Sequence, residues 1–251
     1  MSSGTAIPAV DAARFDAVLF DLDGVITDTA KVHSAAWAEM FDAFLQARAQ
    51  ATGDVFVPFS DGDYLHYVDG KPRYDGVRDF LASRAIELPE GTPDSPPDER
   101  SVCGLGNAKN ILVRQHLADT GVTVFDGTVR WIDQLTAAGV RIAVVSSSRD
   151  TTLVLAAAGL SDRFEAQVDG LVRAELGLAG KPAPDTYLEA ARRLGVPAER
   201  AVVVEDAISG VQAGAAGRFG LVIGVDRTGI GAALHANGAD LVVTDLAELL
   251  A

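Results

Sequence analysis

The sequence predicts an α/β chain: a doubly wound parallel sheet interrupted once by a block of helices. Three observations point that way. Short, unbroken apolar runs recur along the chain, helix-spaced apolar patterns lie between the later runs, and more than a hundred residues without a convincing strand separate the first run from the second. Taken in order, Ala17-Val18-Leu19-Phe20 is the first run, apolar at every position as a strand covered on both faces should be. Residues 29–48 then read as one long helix, with Tyr74–Ala85 and Asn107–Leu117 as two more, so the insertion is all-helical. Within it, Leu88–Arg100 (LPEGTPDSPPDER) is rich in Pro, Asp and Glu and predicts an exposed, mobile loop. The remaining strands are Val140–Val145, Ala201–Val204, Leu221–Val225 and Leu241–Val243, and the helices between them are Thr151–Ala158, Pro184–Leu194 and Ile208–Ala216. Residues 14–29 and 126–251 therefore form a Rossmann-like core, and 30–125 an inserted helical cap domain. No internal repeat is visible.

Composition narrows the partners. The 251 residues are 48% hydrophobic, enough for one large core or a core with a small accessory domain. Lys and Arg number 21 against 35 Asp and Glu, a net charge of −14, which repels nucleic-acid phosphates and anionic lipid alike. Neither a nucleic acid nor a membrane is expected as a partner. Cys103 stands alone, excluding an intrachain disulfide and a thiolate zinc site. Met1–Val10 has no basic segment followed by an apolar stretch, and no later run approaches the roughly 18 apolar residues of a membrane span. The expected compartment is cytoplasmic and the expected state a monomer.

The candidate chemistry gathers at strand ends. Phe20-Asp21-Leu22-Asp23-Gly24 puts two carboxylates at i and i+2 beyond the first strand, on the same side if strand geometry persists, with Gly24 free to turn the chain. In an open parallel sheet the ligand crevice lies beyond the carboxyl ends of the strands. Ser146-Ser147-Ser148-Arg149 follows Val140–Val145, and hydroxyls with backbone N–H groups at a helix start suit a phosphate. Lys181-Pro182 precedes the helix at Pro184 and offers a compact cation; Glu205-Asp206 follows Ala201–Val204 with two more carboxylates. Each is common alone: loop aspartates are usually solvated and serines usually cap helices. Together they place an anion site beside a site for a hard cation. Four carboxylates in one crevice repel one another unless a cation sits among them, and oxygen ligands without His or Cys point to Mg²⁺. That is equipment for phosphoryl transfer.

The order of these clusters resembles the haloacid dehalogenase superfamily of aspartate-nucleophile phosphotransferases: Asp21-Leu22-Asp23-Gly24-Val25, then Ser146, Lys181-Pro182 and Glu205-Asp206. The resemblance implies that Asp21 is the nucleophile and Asp23 the general acid/base. It further implies that Asp21, the Asp23 carbonyl, Asp206 and Glu205 serve Mg²⁺, while Ser146, Ser147 and Lys181 hold the transferring phosphoryl group. The run continuing through Ile26-Thr27-Asp28-Thr29 to His33 and Trp37 is similar to the β-phosphoglucomutase-like branch. Thr29, His33 and Trp37 lie four apart and share a helix face, a stripe that suits a sugar; apart from the motif, Trp37 would read as core and His33 as a solvated position. The same resemblance makes Arg73, in Gly70-Lys71-Pro72-Arg73, the anchor for a sugar's second phosphate. Ser148 and Arg149 fall where the family places other distal contacts, and Lys109 and Asn110, in Asn107-Ala108-Lys109-Asn110, fall in a further substrate-facing stretch. Two positions depart from the pattern. Arg149 replaces a lysine, and Asp150 replaces an amide, unfavourable near a phosphate unless it points away.

The implied reaction interconverts β-D-glucose 1-phosphate and glucose 6-phosphate through an aspartyl-phosphate enzyme and β-glucose 1,6-bisphosphate, with a closing cap keeping water from the acyl phosphate. By the same resemblance a disaccharide phosphorylase acting on maltose or trehalose would supply the substrate. A Mg²⁺-dependent sugar-phosphate phosphatase uses the same Asp21 and Asp23 and stays open as an alternative. So does a non-catalytic sugar-phosphate-binding module, which the intact Asp21, Asp23, Lys181 and Asp206 disfavour.

Overall fold

The computed structural model describes residues 13–250, so the reading of Met1–Val10 lies outside the described residues. Six strands form one sheet: β1 (Ala17–Asp21), β2 (Arg141–Val145), β3 (Ala166–Val168), β4 (Ala201–Glu205), β5 (Leu221–Val225) and β6 (Leu241–Val243). Their order is β3-β2-β1-β4-β5-β6 and every pairing is parallel. The chain winds outward from β1 to β3, then crosses back to lay β4, β5 and β6 on the other side. The carboxyl end of β1 is thus the topological switch point, where such sheets open a crevice.

Both faces of the sheet are covered, which is why the strands read as unbroken apolar runs. On one face Ala17, Leu19, Ala143, Val145, Ala201 and Val203 pack against Tyr187, Ala190, Ala191 and Leu194 of α8 (Asp185–Leu194). Phe20, pointing the other way, meets Trp131 of α5 (Asp126–Ala137) edge-on, ring centroids 5.5 Å apart. The core is completed by α6 (Thr151–Ala157), α7 (Gly170–Leu176), α9 (Ile208–Ala216) and α10 (Gly231–Ala236).

The sequence reading missed four of these elements. Strand β3 is only three residues long with Gln167 at its centre, too short and too polar to show as a run. Helices α7 and α10 each bury a single residue, Gly170 and Leu234, so neither carries an apolar stripe. Helix α5 does carry one, in Trp131, Ile132 and Leu135.

The chain divides into two compact units, one holding the described residues up to Asp28 and from Thr123 onward, the other Thr29–Val122. The joints therefore fall at 28/29 and 122/123 rather than at 29/30 and 125/126. Residues 123–125 are bound into the first unit by Asp28 N–H to Thr123 O, Phe125 N–H to Ile26 O, and a bridge between Thr27 and Val124. The second unit is helical: α1 (Ala30–Thr52), the single turn α2 (Asp61–Asp63) running into a π-helical turn at Tyr64–Val68, α3 (Arg73–Ser83) and α4 (Val102–Thr120). Phe41 is its centre, with Trp37, Phe59 and Phe80 around it at centroid distances of 5.3, 5.2 and 4.1 Å. Leu88–Arg100 has no helix or strand and is largely exposed. It is nonetheless tied down, contrary to the expectation of mobility. Pro89 O and Glu90 O accept from Val102 N–H and Cys103 N–H, and the Glu90 carboxylate pairs with Arg78. Among the described residues no helix is long and apolar enough to cross a membrane.

Candidate active site

Asp21 ends β1 at the centre of the sheet's carboxyl edge and is 6% exposed. Its carboxylate accepts from the Lys181 ammonium, which also meets Glu205 Oε1 at 2.5 Å. Glu205, the last residue of β4, is wholly buried and accepts in addition from the Tyr187 hydroxyl at 2.7 Å and the Ala207 N–H at 3.3 Å. Asp206 follows, and one carboxylate oxygen from each of Asp21, Glu205 and Asp206 lies within 4.8 Å of the others.

Two glycines make room for these carboxylates. Gly24 has φ +92°, and a Cβ there would lie 1.8 Å from Asp206 Oδ2; a Cβ on Gly210 would lie 1.8 Å from Glu205 Oε1. Beyond Asp21 the strand does not persist. The chain folds into a tight turn in which Ile26 N–H and Thr27 N–H both reach Leu22 O, and Gly24 N–H reaches Thr27 O. Asp23 stays beside Asp21 in this turn, with the Ser146 hydroxyl 3.5 Å from its Oδ2. Arg227, which follows β5, donates from Nε to Gly24 O at 2.9 Å and lies over the Phe125 ring, pinning the turn from outside.

The charges do not balance. Burial pushes the Asp21 carboxyl well above the usual carboxylate range, and the charges of Glu205 and Asp23 add to that push against the pull of Lys181. Burial also works against the Lys181 charge, but the Asp21 and Glu205 carboxylates outweigh it and hold the ammonium protonated. Burial and the same two carboxylates raise the Tyr187 phenol, so its hydroxyl stays a donor. The Lys181 ammonium thus pairs with Asp21 and Glu205, with Asp206 beside them. A cluster of carboxylate oxygens without His or Cys fits a hard divalent cation, whose charge would offset the burial and repulsion that raise Asp21.

Ser146 is 2% exposed; its Oγ accepts from Ser148 N–H at 3.0 Å, closing the loop after β2 into a turn, while Ser147 is half-buried. Ser148 Oγ accepts from Asp150 N–H at 3.1 Å. Arg149 is exposed and Asp150 is 5% exposed at the start of α6, so the arginine faces solvent and the aspartate turns inward. Gly170 permits this loop to be approached closely: a Cβ there would lie 2.8 Å from Ser147 O and 2.9 Å from Arg149 Cγ.

In the helical unit, Thr29 precedes α1 and its carbonyl accepts from His33 N–H. Lys109 is 4% exposed, with Nζ 2.8 Å from His33 Nδ1 and 4.7 Å from the Trp37 ring centroid. An ammonium can only donate, so Nδ1 is the acceptor and the His33 ring carries its proton on Nε2. Trp37 is 3% exposed and stacked on Phe41. The ring packs into the aromatic cluster of the helical unit and presents a face to Lys109. Asn110 is half-buried on α4. Arg73 opens α3, half-buried, with a buried Nε that has no hydrogen-bond partner. Tyr187 and Arg227 escaped the sequence reading. The first looks like an interior apolar position of α8, and the second lies two residues past a strand in no recognisable motif.

The sequence model of the haloacid dehalogenase-like hydrolases matches residues 15–218, and the chain belongs to that family. Within it the similarity runs to the β-phosphoglucomutases. The chain is 56% identical over 238 residues to the β-phosphoglucomutase of Mycobacterium bovis, covering 93% of this chain and 91% of that one. It is 30% identical over 234 residues to the Bacillus subtilis β-phosphoglucomutase, with the same two coverages. The crystal structure of the Clostridium difficile β-phosphoglucomutase superposes with a TM-score of 0.72 at 23% identity over 94% of this chain and 93% of that one, a likeness of fold.

Proposed function

We propose that the chain is a Mg²⁺-dependent β-phosphoglucomutase, interconverting β-D-glucose 1-phosphate and glucose 6-phosphate. The observation that carries phosphoryl transfer is the setting of Asp21: a buried carboxylate at the switch point, gripped by Lys181 and adjoining Glu205 and Asp206. The 56% identity to the M. bovis enzyme supports the mutase over a phosphatase of the same fold.

In this reading Asp21 attacks a phosphoryl group and carries it as an acyl phosphate, dividing one hard transfer into two easier ones. Lys181, Ser146 and Ser147 hold the phosphoryl oxygens, and Lys181 keeps Asp21 aimed. Asp23 takes the proton from the C6 hydroxyl as it attacks the aspartyl phosphate, and returns a proton to the C1 oxygen when the bisphosphate gives up its other phosphate. Asp21, the Asp23 carbonyl, Asp206 and Glu205 would hold Mg²⁺, whose charge neutralises the phosphoryl oxygens. Arg73 takes the sugar's distal phosphate, with Ser148 and Arg149 as further contacts; its unpartnered Nε supports that role. Thr29, His33, Trp37, Lys109 and Asn110 serve the sugar. A disaccharide phosphorylase that releases β-glucose 1-phosphate is the class of enzyme that would supply the substrate.

The test is product identification by NMR from β-glucose 1-phosphate in Mg²⁺ with a trace of the bisphosphate. Glucose 6-phosphate should form, and none with Asp21→Ala. Release of free glucose and inorganic phosphate instead would establish the phosphatase, and turnover by Asp21→Ala would overturn the nucleophile.

A further inference from the structure

In the helical unit a relay of side chains joins the first turn of α3 to the loop before α4. The Arg73 guanidinium lies over the Tyr74 ring, 5.0 Å from its centroid, and Nη2 donates to the Tyr74 hydroxyl at 3.3 Å. That hydroxyl donates its one proton to Asn107 Oδ1 at 2.9 Å. Asn107 Nδ2 in turn donates to Pro93 O at 3.1 Å and Ser95 O at 2.8 Å, in the middle of Leu88–Arg100. The directions are mutually forced. Nδ2 faces two carbonyls that can only accept, so Oδ1 must face Tyr74, and the phenol oxygen is left as an acceptor for Arg73. Gly106 completes the arrangement: a Cβ there would lie 2.7 and 2.8 Å from Tyr74 Cδ1 and Cε1, so only glycine lets the ring lie against α4. Ser95, 8% exposed, accepts from Thr92 N–H and donates to Glu99, which stiffens the loop end of the relay.

An arginine side chain has several rotatable bonds, and most of its freedom must be lost before it can grip an anion with two donors. Here that freedom is already restricted. The ring fixes the guanidinium plane and the hydroxyl fixes one end of the fork, while Nε remains unpartnered.

We propose that Tyr74 and Asn107 are positioning residues that use the loop Leu88–Arg100 as a platform to pre-set Arg73 for the distal phosphate of the sugar. This rests on the reading of Arg73 as that phosphate's anchor. Tyr74→Phe keeps the ring and the fold and removes the hydroxyl joint between Arg73 and Asn107; Asn107→Ala leaves the hydroxyl on Arg73 but cuts its tie to the loop. Each should raise KM for β-glucose 1-phosphate, about three- to tenfold for Tyr74→Phe and no more than that for Asn107→Ala, with kcat changed far less, because the ligand must then order the arginine itself. The two effects should not add: the double variant should match Tyr74→Phe alone. In an Arg73→Ala background neither should change KM further. Hydrogen exchange at the Thr92, Asp94 and Ser95 amides should quicken in Asn107→Ala and stay as in the parent in Tyr74→Phe, separating loop loosening from loss of the joint. If Arg73→Ala raises KM while Tyr74→Phe leaves it unchanged, or if the effects of Tyr74→Phe and Arg73→Ala simply add, the relay is refuted and the anchor stands. If Arg73→Ala leaves KM unchanged, the anchor fails and the relay with it.

Discussion

Replacing Tyr187 with phenylalanine removes one oxygen from the floor of the site. Its hydroxyl donates to Glu205 Oε1 across 2.7 Å, and both residues are fully buried, so solvent cannot take its place. The carboxylate keeps Lys181 at 2.5 Å and the Ala207 N–H at 3.3 Å. It loses one donor of three without becoming an orphan. A buried hydrogen bond to a charged acceptor contributes about 1.5–3 kcal/mol, and the ring that packs against β1 and β4 is retained, so little cavity cost is added. For a chain of this length about 1 kcal/mol moves the melting temperature by about 2–4 °C, so the variant should melt roughly 3–12 °C lower. Calorimetry in EDTA reads this with divalent metal held out. Isothermal titration of Mg²⁺ should show affinity weakened about tenfold or more, as when a partner that orients a ligand is lost. A variant that melts within about 1 °C of the parent in EDTA would mean that the hydroxyl's desolvation cancels its bond, and the bracing argument would be wrong.

Gly24→Ala should abolish Mg²⁺ binding and activity while leaving a folded chain, since the new methyl group would occupy the place of Asp206 Oδ2 and φ +92° disfavours any side chain; undiminished Mg²⁺ affinity by calorimetry would contradict it. Mg²⁺ at about a hundred times its Kd should stabilise the protein by about 2.7 kcal/mol, a rise of roughly 5–11 °C in melting temperature. Asp206→Asn should lose most of that rise; an undiminished rise would take Asp206 out of the ligand set. Glu189 hydrogen-bonds to Arg192 and Arg193, which lower its carboxyl from 4.5 to about 2. A depressed acid contributes fully above its unfolded value and loses the contribution as pH falls through the folded one. Because the Arg192 side chain is 72% exposed, the deficit of Glu189→Gln at pH 7 should be only about 1 kcal/mol, and it should close between pH 4.5 and about 2 in urea melts. A deficit that persists at pH 2 would assign it to packing.

What could be read from the sequence follows a physical rule. Strands β1, β2 and β4 are covered on both faces, so their apolar runs are unbroken and their carboxyl ends are easily found; Asp21, Ser146, Glu205 and Asp206 come with them, while Lys181 is marked by the proline and the helix that follow it. Strand β3 lies at the sheet edge and needs only three residues, one of them Gln167, so no run exists to be read. Trp37 shows the limit of periodicity. A stripe at four-residue spacing looks the same whether it faces a sugar or a core, and the stacking of Trp37 on Phe41 is a contact the spacing alone does not reveal. Tyr187 and Asn107 escaped for another reason. Each acts through a partner distant in sequence, 18 residues away for Tyr187 and 33 for Asn107, and nothing local marks such a hydroxyl or amide as aimed.

The site is governed as much by atoms its backbone lacks as by the side chains it carries. Asp206 occupies the space that a Cβ on Gly24 would take, and Glu205 the space of one on Gly210. Both carboxylates are thereby brought close to backbone and close to Asp21. Burial, with the charges of Glu205 and Asp23 adding to it, outweighs the pull of Lys181 and raises the Asp21 carboxyl. In water the cluster would disperse; here the sheet fixes Asp21 and Glu205 at strand ends, and Tyr187 with Lys181 locks Glu205 from below. Repulsion held in place by packing is a standing affinity for positive charge. The same geometry that raises the Asp21 carboxyl therefore suits a divalent cation, whose charge would favour the ionised carboxylate.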